Sequence, residues 1–219
     1  MLRKHKRLTK KELKKDPLLT FIGEAYDYFE REWIKIVSIV GGVILIVVLA
    51  LFIGRGRNRA EINAYDAAFN ALRNNAPEAP DLLRRVVDDH GGSESAAMAL
   101  LSLGTYYFQN EEYEQSEEQF SEYIDKYSGD MLSDYSAFNG LGGVYEQEEM
   151  FDKAAGIYEE YLKKYPKSPF NDTIRMSAAR AYLNAGEKDK ARSLFSDIVG
   201  EEKDSPEKQE AKFYLSTLD

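Results

Sequence analysis

Only two histidines, His5 and His90, stand in a chain of 219 residues that has no cysteine. They lie far apart, so they cannot form the paired imidazoles that one helix face offers a metal at spacings of three or four. His90 follows two aspartates in DDHGG, a run that would suit a mixed nitrogen and oxygen site. A His then a Gly at a helix end also answers the helix dipole and closes the last turn in the left-handed region, and this cap is the expectation. Carboxylates crowd the stretch from Glu111 to Glu122, but acid–base catalysis needs two of them in a dry cleft with separated pKa values. On a wet helix face they are only charge.

No G-x-S-x-G elbow, P-loop or H-E-x-x-H occurs, and the glycines of NGLGGVY fall in a repeat column rather than in a phosphate cradle. The sequon Asn171-Asp172-Thr173 has meaning only in a eukaryotic secretory pathway. The chain is therefore expected to be no enzyme, with no catalytic residue, cofactor, metal or small-molecule substrate. Absence of cysteine excludes disulfides and thiolate sites but fixes no compartment.

Charge sharpens this. The net charge of −9 conceals 16 Lys or Arg against 32 Asp or Glu in residues 60–219. So acidic a region repels nucleic acid and anionic head groups. Binding to other proteins is what remains.

One stretch differs from all others. Residues 36–53 contain no charge, and 14 of these 18 residues are Ile, Val, Leu or Phe. As a helix they would rise about 27 Å, close to the hydrocarbon thickness of a bilayer, and their insertion is favourable by about 4 to 8 kcal/mol. The run is too long and too far from the N-terminus for a cleaved signal, and a retained anchor is expected. Ten Lys or Arg precede it, and only Arg55, Arg57 and Arg59 follow closely. The bias predicts a cytoplasmic N-terminus. The expected division is residues 1–35 as a cytoplasmic basic and amphipathic segment, 36–54 as the transmembrane helix, and 55–219 as an exterior domain.

Before the span, TKKE at residues 9–12 fits a capping box, and Asp16 followed by Pro17 fits a second helix start. Leu18, Ile22, Ala25, Phe29 and Trp33 then make an apolar stripe, suited to the inner leaflet or to a partner's surface. Within the span Ser38 and Gly42 are spaced for close helix packing.

After the span a repeat appears. LGTYYFQNEEYEQSEEQFSEYIDKY from Leu103 aligns without gaps on LGGVYEQEEMFDKAAGIYEEYLKKY from Leu141, and AARAYLNAGEKDKARSLFSDIVG from Ala178 makes a third copy. Small residues share columns (Gly104, Gly142, Ala179; Ser116, Ala154, Ala191), and aromatic or apolar ones share others (Tyr107, Tyr145, Tyr182; Phe120, Tyr158, Phe195; Tyr123, Tyr161, Ile198). Spacings of three and four put each set on one helix face. Polar turns are expected at residues 110–112, 146–149 and 184–189. Ala60 to Leu72 and Leu82 to Asp89 read as a degenerate hairpin before these copies, and Pro206 to Leu215 as a terminal helix capped by Ser205.

This pattern resembles the tetratricopeptide repeat, with L-G-x-x-Y on one helix, A-x-x-x-F on the next and a closing proline, supplied here by Pro166. Ser128 and Gly129 replace that proline in the first copy, and the copies lie 38 and 37 residues apart rather than the usual 34. An all-α solenoid of about three to four hairpins is expected. By resemblance, the first helices line a peptide groove through Met98, Leu101, Thr105 and Phe108, then Asn139, Glu146 and Gln147, then Met176, Arg180, Leu183 and Asn184. Lysines that would clamp an acidic peptide terminus are absent from that set, unlike in the heat-shock co-chaperone type.

The layout of short cytoplasmic segment, single span and exterior repeat domain is similar to the YfgM-type ancillary subunits of the Sec translocon. That resemblance implies a bacterial inner-membrane protein with a periplasmic domain, partnered by the SecYEG channel, by periplasmic chaperones or by emerging secreted chains. The alternative is a scaffold for outer-membrane protein assembly or the Tol system. A regulatory role for the cytoplasmic helices, or an enzyme domain disguised as repeats, is the reading from another class.

Overall fold

Proline has no N–H to lose at the start of a helix, and Pro17 opens the first one. The computed structural model describes residues 17–200 and 204–218, and every regular element within them is helical. TKKE therefore lies outside the described residues. By its contacts the chain divides into two units, residues 1–58 and 59–219.

Helix α1 runs unbroken over Pro17–Arg73. This corrects two expectations. The striped helix after Pro17 is not separate from the apolar run, and Ala60 to Leu72 is not a new helix after it. Gly54 and Gly56 invited that break, but each costs only about 1 kcal/mol against alanine, too little to halt a helix already propagating. Every Ile, Val, Leu and Phe from Val37 to Ile53 is at least half exposed, and α1 is long and apolar enough to cross a membrane.

In the second unit the helices are α2 (Ala79–Asp89), α3 (Glu94–Gln109), α4 (Tyr113–Tyr127), α5 (Met131–Gln147), α6 (Phe151–Lys164), α7 (Asn171–Asn184), α8 (Lys188–Gly200) and α9 (Pro206–Leu218). Helix α2 starts three residues earlier than the sequence suggests, with Pro80 in its first turn. Ser93 and Asp130 cap α3 and α5 by accepting from Ala96 N and Ser133 N. Ser205 Oγ accepts from Lys208 N at 3.2 Å, the cap expected for α9. His90 is the C-cap of α2, its N–H bonded to Val86 O, and the left-handed residue is Gly92 at φ 82°.

The end of α1 pairs with α2 to complete four hairpins, each closed by the same turn. Asn75, Glu111, Glu149 and Gly186 sit at positive φ. The N–H of the following residue reaches back to a helical carbonyl in each case: Ala76 to Ala71, Glu112 to Tyr107, Met150 to Tyr145, and Glu187 to Tyr182, all at 2.8–2.9 Å. This is the Schellman closure, whose left-handed residue is cheapest as glycine. Only the last hairpin has one. The first turn occupies residues 110–112 as the sequence suggests, and the other two are tighter than expected. Glu146 and Gln147 end α5, and the last turn is confined to residues 185–187.

Small residues let rings lie flat against backbone. A Cβ added at Gly104 would come within 2.7 Å of the Phe120 ring, and one at Gly142 within 2.3 Å of Tyr158. The Phe120 ring also covers Gly140 of the next hairpin, where an added Cβ would approach to 2.4 Å. Ser116 Oγ donates to Gly104 O at 2.8 Å, in a fully buried place. The degenerate hairpin uses Ala68, Ala79, Leu83 and Val86 for the same burial. At the other end Phe195 stacks on Tyr214 of α9 at 4.8 Å.

Two junctions join the central hairpins. Between α4 and α5, Asp134 is fully buried. It accepts from Tyr123 Oη at 3.1 Å, Ser128 Oγ at 2.6 Å, Gly129 N at 3.1 Å and Tyr165 Oη at 2.8 Å, and pairs with Lys164 at 2.8 Å. Burial would raise its pKa, but the Lys164 ammonium and the three donors Ser128, Tyr165 and Gly129 outweigh it and hold the carboxyl below its ordinary value. Between α6 and α7 the corresponding tyrosine, Tyr161, meets Ser168 Oγ at 2.8 Å, while Asn171 Nδ2 donates to Tyr165 O at 3.0 Å. Phe170 stacks on Tyr135 at 4.2 Å there.

Candidate protein-binding groove

Helices α3, α5 and α7 are the first helices of successive hairpins, and their exposed faces border a pocket of about 460 Å³. Thr105 and Phe108 come from α3. Helix α5 supplies Tyr135, Ser136, Asn139, Gly140, Gly143 and Glu146, and α7 supplies Ser177 and Arg180. Phe120 and Tyr158, from the second helices, form the floor. They reach the groove because the glycines above them carry no side chain.

Glu146 is the chemically distinctive member. Burial raises its carboxyl pKa, against the opposing pull of a hydrogen bond from Tyr158 and the charge of Arg180. The Tyr158 hydroxyl is itself pushed well above its usual range, by burial first and then by Glu146. Arg180 is held at the groove's end by Glu210 of α9 at 3.2 Å and by Ser177 Oγ at 3.5 Å.

Of the residues placed in the groove by sequence, Thr105, Phe108, Asn139, Glu146 and Arg180 do line this pocket. Leu101 and Met176 do not, because both are buried in the core and offer no surface to a partner. Met98 is exposed on α3, two turns before Thr105, while Gln147 and Asn184 are exposed at the ends of α5 and α7 and Leu183 is partly buried against the core. The sequence reading missed Tyr135, Ser136, Gly140, Gly143 and Ser177. Completing the columns would have found two of these, since Ser136 aligns with Met98, and Gly143 with Thr105 and Arg180. In the other unit, Ser38 Oγ donates to Ile34 O of its own helix at 2.7 Å, and Gly42 has open space around it. Among the described residues no cluster of three His, Asp or Glu side chains could hold a metal.

Comparison with known proteins agrees with the repeat architecture. Tetratricopeptide repeat models match residues 73–131, 101–169 and 145–212. No curated protein matches the chain. Among solved structures it is similar to a tetratricopeptide repeat protein from Parabacteroides merdae ATCC 43184, with 11% identity, a TM-score of 0.61, and coverage of 73% of this chain and 60% of that one. It is also similar to MamA from Desulfovibrio magneticus RS-1, at 14% identity, TM-score 0.56 and coverage of 72% and 82%. PilF from Pseudomonas aeruginosa matches at 16% identity and TM-score 0.56, covering 74% of this chain and 69% of its own. At such identities the likeness is one of fold. Four hairpins closed by one kind of turn, with rings laid over small residues in matching columns, leave no other assignment: the chain belongs to the tetratricopeptide repeat family, whose repeats build scaffolds for protein–protein interaction.

Proposed function

We propose that this scaffold is tethered to a bacterial inner membrane, with residues 1–35 in the cytoplasm, 36–54 in the bilayer and 55–219 in the periplasm. It works there as an ancillary factor of the Sec translocon, holding periplasmic chaperones or newly emerging chains beside the SecYEG channel. The observation that carries this reading is the exposure of every large apolar side chain from Val37 to Ile53. In water that face would be expensive, whereas in lipid it is the stable arrangement. Tethering also explains how a shallow groove suffices, because confinement raises a partner's effective concentration toward the mM range.

The test is recovery of the full-length protein from detergent with whatever accompanies it, identified by mass spectrometry after crosslinking in intact cells. Translocon subunits should dominate. Dominant lipoproteins or envelope-assembly factors would replace this reading with the alternative scaffold. Protease added to spheroplasts should digest the C-terminal part, and resistance that ends only on lysis overturns the topology. Gly42→Leu should lower translocon recovery if Ser38 and Gly42 pack against a channel helix.

A further inference from the structure

Oxygen Oε1 of Glu146 is buried and receives no hydrogen bond. An ionised carboxylate left so is costly, and native proteins rarely tolerate it without a partner. Among the described residues none supplies it. The Tyr158 hydroxyl already donates to this carboxylate, and the guanidinium of Arg180 is engaged by Glu210 and Ser177. The pocket surface next to Glu146 is aromatic: the Phe108 ring lies against Gly143, one turn before Glu146, and the Phe120 ring covers Gly140. An acceptor at the end of an aromatic slot calls for a side chain with an apolar stem and a donating tip.

Charge decides which tip. Residues 60–219 carry 32 acidic against 16 basic side chains, so the field around the groove steers cations inward. Arginine presents a planar fork that wants both oxygens of a carboxylate. Since Tyr158 already donates to this carboxylate, the match is with the point charge of an ammonium. We propose that the pocket receives a lysine side chain from an extended segment of a partner protein, its methylenes against Phe108 and Phe120 and its ammonium donating to Glu146 Oε1. This deepens the proposed role of the groove and rests on it. The raised pKa of Glu146 agrees, since the attraction of an arriving cation would offset the burial that causes it.

Fluorescence anisotropy of the full-length protein in detergent tests this with three labelled, unstructured peptides that differ only in a central lysine, arginine or norleucine flanked by leucines. The lysine peptide should bind at least about ten-fold tighter than the norleucine peptide, with arginine between them. Glu146→Gln should abolish the difference, while Glu114→Gln, exposed on α4, should keep it. Equal binding of lysine and norleucine peptides by the unaltered protein overturns the inference but leaves the groove as a protein-binding face. So does a lysine preference that survives Glu146→Gln in a protein with an unchanged melt. If no peptide binds, the groove and its lysine pocket fall together.

Discussion

The two central junctions of the solenoid solve one problem with different chemistry. Tyr123 and Tyr161 occupy the same repeat column, and each hydroxyl must find a partner where one hairpin hands over to the next. At the first junction the partner is a buried carboxylate, Asp134, which also collects Ser128, Gly129, Tyr165 and Lys164. At the second the hydroxyl's partner is neutral, Ser168, beside Pro166, and the neutral Asn171 donates to the Tyr165 carbonyl. The difference shows that Ser128 and Gly129 are not a decayed proline position. Ser128, at the position of Pro166, gives Asp134 a hydroxyl that proline lacks, and Gly129 beside it adds an N–H. One junction is ionic and depends on its charge; its neighbour is not.

Removing the acceptors should expose that contrast most strongly. Asp134→Ala should cost about 3 kcal/mol in urea unfolding, since it strands four buried or partly buried donors and a partly buried ammonium. Asn171→Ala should cost about 1 to 2 kcal/mol, the usual loss of a buried neutral hydrogen bond. Comparable losses at the two sites would erase the distinction.

Acid sharpens it next. Because the folded Asp134 carboxyl titrates below its unfolded value of about 4, its contribution is complete above that pH and is lost as pH falls through the folded value. The advantage of the unaltered protein over Asp134→Asn should therefore hold constant from about pH 7 to 5 and shrink below about 4. Urea midpoints at pH 7 and pH 3 measure this. An advantage that persists at the lower pH would mean the charge is not what matters.

Transplanting the second junction's proline is a subtler probe. Ser128→Pro should destabilise by about 1 to 2 kcal/mol through loss of the hydroxyl bonded to Asp134. Were the position merely a degenerate closing proline, the substitution would instead stabilise by up to about 1 kcal/mol. Smallest of all are the hairpin turns. Glu111→Gly and Glu149→Gly should each raise stability by up to about 1 kcal/mol by relieving the left-handed backbone, and Gly186→Ala should lower it by about as much, read from thermal midpoints.

How much of this was legible beforehand varies by residue. The three gapless copies announced the hairpins, because small and aromatic columns at helical spacing have few other uses. The upstream hairpin was also visible, but its continuity with the apolar run was not, since Gly54 and Gly56 look like punctuation and only cooperativity along α1 overrides them. Within the groove, Thr105, Phe108, Asn139, Glu146 and Arg180 followed from column position. Leu101 and Met176 misled because both are buried in the core, and burial depends on tertiary packing that periodicity does not describe. Asp134 was invisible for a similar reason. An acidic residue in the first turn of a helix ordinarily faces water, and only the tertiary arrival of Lys164 and Tyr165 makes it an interior anion.

The Phe120 ring, clasped between Gly104 and the following hairpin's Gly140, limits how this array can evolve. Repeat proteins commonly lengthen or shorten by whole units, as though each were an interchangeable brick. Here the lock is in one unit and the keyhole in the next. Were the third hairpin deleted so that the fourth followed the second, Ser177 would take the position of Gly140, and its side chain would meet the ring where there is no room. Order along the chain is thus written into the joints themselves.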